Sequence, residues 1–138
     1  MRKRLFKLLG KKSFLLACMG ISICYMALSG VTMNFSDGPP EFTRIIFHCS
    51  YFSLIPLGYG NWFPMIIAVS SIIVFILLLL EVKKYKYRVV KICLCLAMVF
   101  NVISWLVFKA FDVVGLIVSI FHLVVFLILQ FVKQNSTE

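Results

Sequence analysis

The residues most able to do chemistry are few, and they lie inside long apolar runs. His122 stands near the middle of the run from Phe111 to Val132 and is the only strongly ionisable side chain at such depth. An imidazole so far from water is a functional-site candidate by default, since its burial has to be offset by a partner or a task. If that run and the preceding one, Val89 to Phe108, are antiparallel helices, Asn101 falls within about two residues of the same level, a few ångströms at the helical rise. A direct bond between His122 and Asn101 is then within reach. Ser70 and Ser71 on another run, and Ser22 with Tyr25 on the first, reach similar depths, so a polar layer is available. Two uses fit: a ligand or proton site made by His122, Asn101, Ser70 and Ser71, or a device that joins helices. The joining role is the stronger reading, because histidine–asparagine bonds of this kind commonly hold helices together in lipid.

Other reactive residues are poorly equipped for catalysis. His48 and Cys49 are adjacent, but a metal generally needs three or four ligands, and none accompany them. Cys93 and Cys95 are two apart, which on a helix turns them roughly 200° from each other, so packing is expected rather than a disulfide or a soft-metal site. No CxxC, phosphate-binding loop, HExxH, GxSxG or paired carboxylate is present. The acids are Asp37, Glu41, Glu81, Asp112 and Glu138, none deeper in an apolar run than its first two residues, so carboxylate-driven proton coupling has no evident seat. Asn34-Phe-Ser36 and Asn135-Ser-Thr137 match the glycosylation triplet but are badly placed for it, at a helix end and in an inward-facing tail. The expectation is a protein that is not an enzyme, with no metal and no cofactor.

The elements that must position these residues follow from composition. Of 138 residues 62% are hydrophobic and 14% charged, and the mean hydropathy is +1.05. Soluble domains interleave apolar and polar positions, whereas here the apolar ones gather into runs approaching twenty residues, so the expected solvent is lipid. The runs Phe14–Val31, Phe63–Leu80, Val89–Phe108 and Phe111–Val132 each suit a helix crossing a hydrocarbon core of roughly 30 Å. An all-α bundle of four transmembrane helices, forming a single domain over residues 1–138, is expected.

The net charge of +9 is distributed as topology rather than as a nucleic-acid groove. Arg2, Lys3, Arg4, Lys7, Lys11 and Lys12 precede the first run, and Lys83, Lys84, Lys86, Arg88 and Lys91 lie between the second and third. Both regions, and with them both termini, belong in the cytoplasm by the positive-inside rule. The loop of residues 32–62 is then extracytoplasmic. Tyr85 and Tyr87 at the inner edge, and Tyr59, Trp62 and Trp105 at the outer one, suit interfacial belts. A cleaved signal peptide is the competing reading of the first run; its length favours retention.

Within the loop, Asp37, Pro39 and Pro40 look like a helix start, and Phe42, Ile45, Ile46, Cys49 and Phe52 recur near helical spacing. A short amphipathic helix on the outer surface is predicted. Pro56, Gly58, Gly60 and Pro64 break regular structure before the second span. On the first span, Ala17, Gly20, Cys24 and Ala27 form a stripe of small residues that lets another helix approach closely. Packing inside the monomer is favoured for it over self-association, because three neighbouring helices compete for that face. The functional expectation is an accessory, regulatory or self-associating membrane subunit in the bacterial plasma membrane, with the bilayer and another membrane protein or itself as partners and no nucleic acid. The alternative is a small transporter or channel whose oligomer surrounds His122 and Asn101.

Overall fold

Leu, Met, Ala and Cys carry helix α1 from Lys12 to Ala27. The chain then meets the β-branched Val31 and Thr32, and the computed structural model, which describes residues 12–28, 31–36, 44–58, 60–80, 84–109 and 111–134, turns from helix to strand. Strand β1 (Val31–Ser36) pairs antiparallel with β2 (Arg44–Cys49), in a register that sets Val31 opposite Cys49, Thr32 opposite His48 and Met33 opposite Phe47. A short helix α2 (Ile55–Gly58) leads to a turn at Gly60, whose φ of 80° suits a residue without Cβ, and the Asn61 amide closes that turn on the Pro56 carbonyl at 2.8 Å. Helix α3 (Phe63–Leu79) opens with Pro64 in its first turn, where a missing N–H leaves nothing unpaired. Helices α4 (Lys84–Phe108) and α5 (Val113–Gln134) follow, joined by a tight turn through Lys109, at φ 48°.

The predicted amphipathic helix in the first loop is therefore corrected to a β-hairpin. Its apolar spacing fits a helix over so short a stretch, but Ile45, Ile46 and Phe47 are strand formers, and Val31-Thr-Met33 supplies a pairing partner. The first helix accordingly ends at Ala27 rather than Val31. The third begins at Lys84, earlier than Val89. The basic residues before Lys12, the loop segment Asp37 to Thr43 with Pro39, Pro40 and Phe42, the residues Tyr59 and Lys83, the side chains of Tyr85 and Tyr87 and the tail from Asn135 lie outside the described residues.

Two stretches, Arg88–Phe108 and Val113–Phe131, are long and apolar enough to cross a membrane; α1 and α3 are apolar but shorter, at 16 and 17 residues. Helix α1 packs on α3 and α5, and α4 packs on the same two, so the four long helices close a ring with α1 and α4 on the diagonal. Two apolar clusters fill it. One, at the end away from the hairpin, contains Leu15, Met19, Val74, Leu78, Leu94 and Leu129. The other, under the hairpin, contains Met26, Met33, Tyr51, Ile67, Ala97 and Val118. Between them, Ser22 on α1, Ser71 on α3 and His122 on α5 form a buried polar layer. The outside is the inverse: Ile66, Val69, Ile73, Ile76, Val99, Val102, Leu116, Ile120 and Leu127 are all exposed. The hairpin is fastened to the ring by the Tyr51 amide, which donates to the Met26 carbonyl at the end of α1 at 3.0 Å.

Candidate functional site

Every ordinary apolar helix contact is interchangeable to a degree; the polar ones are not, and they gather at two levels of the ring. At the deeper level His122, 1% exposed, faces Ser71, with 2.8 Å between Nε2 and Oγ. The Ser71 hydroxyl also donates to the Ile67 carbonyl one turn earlier, at 2.7 Å. The imidazole also donates to the Val118 carbonyl one turn earlier, so the single Ser71 O–H proton is shared between the Ile67 carbonyl and His122 Nε2. Ser22 lies in the same layer, fully buried, and its hydroxyl has no partner among the described residues.

Asn101 belongs to the second level, one turn nearer the hairpin. Its Nδ2 donates to the Gly115 carbonyl and to Ser119 Oγ, both at 2.8 Å, and its Oδ1 accepts from the Tyr51 hydroxyl at 3.1 Å. One amide thus ties α4 to α5 and to the segment after β2. The direct His122–Asn101 bond considered from depth alone is not formed: each residue has other partners. Ser70, about 100° round α3 from Ser71, is half-buried and stands apart from the His122 pair. Of the four residues grouped in sequence as a site, the structure joins only His122 and Ser71.

A third polar group sits where the hairpin meets α5. The Asp112 carboxylate accepts from the Val114 amide at 2.7 Å, which makes it the N-cap of α5, and from the Thr32 hydroxyl at 2.9 Å. Thr32 Oγ1 also lies 3.3 Å from His48 Nδ1 across the strand pair. Burial, reinforced by the nearby Asp112 charge, pushes the Tyr51 hydroxyl well above its ordinary value, so Tyr51 is a fixed neutral donor to Asn101. Beside it, Cys49 is buried, its thiol also pushed up by burial and donating weakly to the Val31 carbonyl at 3.6 Å. A thiol in that state is a poor nucleophile and a poor metal ligand. All five cysteines are free, Cys93 and Cys95 included.

No family model, curated protein or solved structure matches the chain.

Sequence reasoning found Asn101, His122 and Ser71 from their depth, and missed Tyr51, Gly115, Ser119 and Asp112. Gly115, Ser119 and His122 share one face of α5 at spacings of four and three, a signal available in the sequence once that face is taken as inward. Gly115 is tight: a Cβ there would stand 2.7 Å from the Tyr51 hydroxyl and 3.1 Å from Trp105 Cζ2. The small-residue stripe also lands differently from the favoured expectation. Leu15, Cys18, Met19, Ser22 and Met26 form the inward face of α1, while Ala17, Cys24 and Ala27 are exposed on the far side and Gly20 is half-buried.

The geometry at His122 has a measurable consequence. His122→Leu removes one interhelical bond, to Ser71, and one within α5, to the Val118 carbonyl, but leaves Ser71 bonded to Ile67, and leucine fills a similar volume. The expected loss is about 1 kcal/mol, in line with single interhelical hydrogen bonds, read as the denaturation midpoint in detergent micelles. A loss of several times that size would mean that the imidazole holds more of the ring together than Ser71 alone.

Proposed function

We propose that this chain is a four-span integral membrane protein of the plasma membrane, of non-enzymatic type, whose work is association as an accessory, regulatory or self-associating subunit. The observation that carries the reading is the outward stripe of Ala17, Cys24 and Ala27 with Gly20 at its edge. The polar side chains of the ring bond mainly to one another and its outer surface is apolar, so in lipid the surface best suited to close helix contact is this one. All four long helices cross the bilayer in this reading, with both ends on the cytoplasmic side and the hairpin outside. The exposed Trp62 and the half-buried Trp105 then mark the outer interface.

Light scattering of the detergent-solubilised protein, purified from its native membrane, tests the reading. Wild type is expected either as an oligomer or with a second membrane protein bound. The triple substitution Ala17→Leu, Cys24→Leu and Ala27→Leu is expected to weaken that association at least about tenfold, a loss of about 1.4 kcal/mol. The ring itself should be unharmed, because these positions do not face its interior. Gly20→Ala is a milder companion, since its nearest new contact would be Phe75 Cε2 at 3.8 Å, an ordinary packing distance. Unchanged mass and unchanged companions in the triple variant would sink the proposal.

A second reading, a small transporter or channel, draws support from the fully buried Ser22 hydroxyl beside the His122 level, which has no partner among the described residues. Both His122 and Asn101 lie inside one ring, so the path would run through a single chain rather than between copies. Loss of substrate or proton flux in His122→Leu with intact assembly would favour this reading over association.

A further inference from the structure

The junction of hairpin, α4 and α5 holds a small open cleft whose lining includes Thr32, Tyr51, Asn101, Ser104, Trp105 and Asp112. Its enclosed part has room for no more than about one water-sized body. Its chemistry is one-sided. Asp112 is the single charged group among the described residues of the lining, which include no lysine, arginine or histidine; His48 stands behind Thr32, with Nδ1 3.3 Å from its hydroxyl oxygen. The two donors that Asp112 accepts from, the Thr32 hydroxyl and the Val114 amide, are neutral, and a carboxylate offers about four lone-pair sites. The Asn101 carbonyl, the Ser104 hydroxyl and the Thr32 hydroxyl add further acceptor oxygens. Tyr51 and Trp105 complete the lining with aromatic side chains. Trp105 is held in place by Phe111, with ring centroids 4.9 Å apart. The Asp112 charge is felt within the cleft, since it helps keep the Tyr51 hydroxyl protonated.

We propose that this cleft binds a single ammonium-type cation, either the ammonium ion or the –NH3+ end of a small primary amine. Four N–H donors in a water-sized body suit a ring of acceptor oxygens better than a bare alkali ion does, and the net negative charge of the lining supplies the attraction. An amine enters with its –NH3+ inward and its substituent toward the mouth. The same group could belong to a free amine in solution or to an ethanolamine lipid headgroup, because the cleft lies at the hairpin end of the ring. Recognition is the same for both.

Trp105 provides the readout. In a Trp62→Phe background it is the sole tryptophan, and Trp62 is 61% exposed, so its replacement leaves the ring undisturbed. Fluorescence of the purified protein in phosphatidylcholine nanodiscs is titrated with ammonium chloride at constant ionic strength, balanced by choline chloride. A saturable change is expected for ammonium and methylammonium and none for tetramethylammonium. Asp112→Asn, which keeps an N-cap oxygen for Val114, should weaken the apparent Kd at least about tenfold, and Ser104→Ala, which leaves the fold of Asp112 untouched, several-fold. No saturable response, or an equal one in both variants, would overturn the site. An equal response to potassium would overturn its assignment to an N–H donor. Repeating the titration in phosphatidylethanolamine nanodiscs separates the sources: a lost ammonium response assigns the headgroup, and an unchanged one assigns the free ion.

Discussion

Asn101→Leu is expected to destabilise the protein by about 2–3 kcal/mol, the largest single effect of any polar substitution in the ring. Three bonds go at once: two donated by Nδ2, to Gly115 and Ser119, and one accepted from Tyr51. In water a buried group left unpaired costs about 1–3 kcal/mol. In lipid, interhelical hydrogen bonds average about 0.6 kcal/mol and reach about 1.7, because the unfolded chain also finds partners there. Three such bonds, with the Tyr51 hydroxyl stranded at 2% exposure, give the stated range. Asn101→Asp discriminates further. It keeps an acceptor for Tyr51 but sets a carboxylate against the Gly115 carbonyl, so it should be no better than leucine. Reversible unfolding in mixed micelles, followed by helical circular dichroism, provides the measurement. A loss within about 0.5 kcal/mol, the size of an ordinary surface substitution, would show that the Asn101 bonds are ornamental.

The positions of the long helices were legible because long apolar runs leave little choice of structure, and His122 and Asn101, expected near one level from the helical rise, stand about one turn apart. Their partners were not legible. Depth fixes the level of a residue but not its rotation, and rotation decides who bonds with whom. Asn101 reaches Gly115 and Ser119, whereas His122, three residues further along α5 and about 4.5 Å deeper, falls opposite Ser71. Tyr51 could not be anticipated as a partner of Asn101 while its segment was read as a surface helix. It arrives there because β2 returns along β1 and because the Tyr51 amide is fixed to Met26. The small-residue stripe illustrates the same limit: spacing revealed that Ala17, Gly20, Cys24 and Ala27 share a face, but the heavier face of Leu15, Met19 and Met26 competes for the interior and takes it. Asp112 had no mark in the sequence beyond its place at the very start of an apolar run, near where an N-cap stands.

Gly115→Ala is the substitution that most directly tests how the hairpin and the ring depend on each other. Alanine is favoured over glycine in a helix interior by about 1 kcal/mol; Gly115 stands in the first turn after the Asp112 N-cap, so propensity alone should make the variant more stable than wild type by less than that. The surroundings oppose this. The new methyl would stand 2.7 Å from the Tyr51 hydroxyl and 3.1 to 3.2 Å from the edge of the Trp105 indole. Trp105 is backed by Phe111 and Tyr51 is bonded to Asn101, so neither ring has an easy retreat. The hydroxyl must leave Asn101, and the expected net result is a loss of about 1–2 kcal/mol, with overpacking and a broken buried bond outweighing propensity. A double-mutant cycle isolates the cause. Tyr51→Phe alone leaves Asn101 Oδ1 without its donor and should destabilise; combined with Gly115→Ala it removes the atom that the methyl strikes. The double variant is therefore expected to be more stable than the sum of the two single losses by about 1 kcal/mol or more, within the range of coupling between residues in contact. Additive losses would place the clash elsewhere and detach Tyr51 from the α5 face, whereas the coupled result would mean that the hairpin sets how closely α4 and α5 can approach at the level of Asn101.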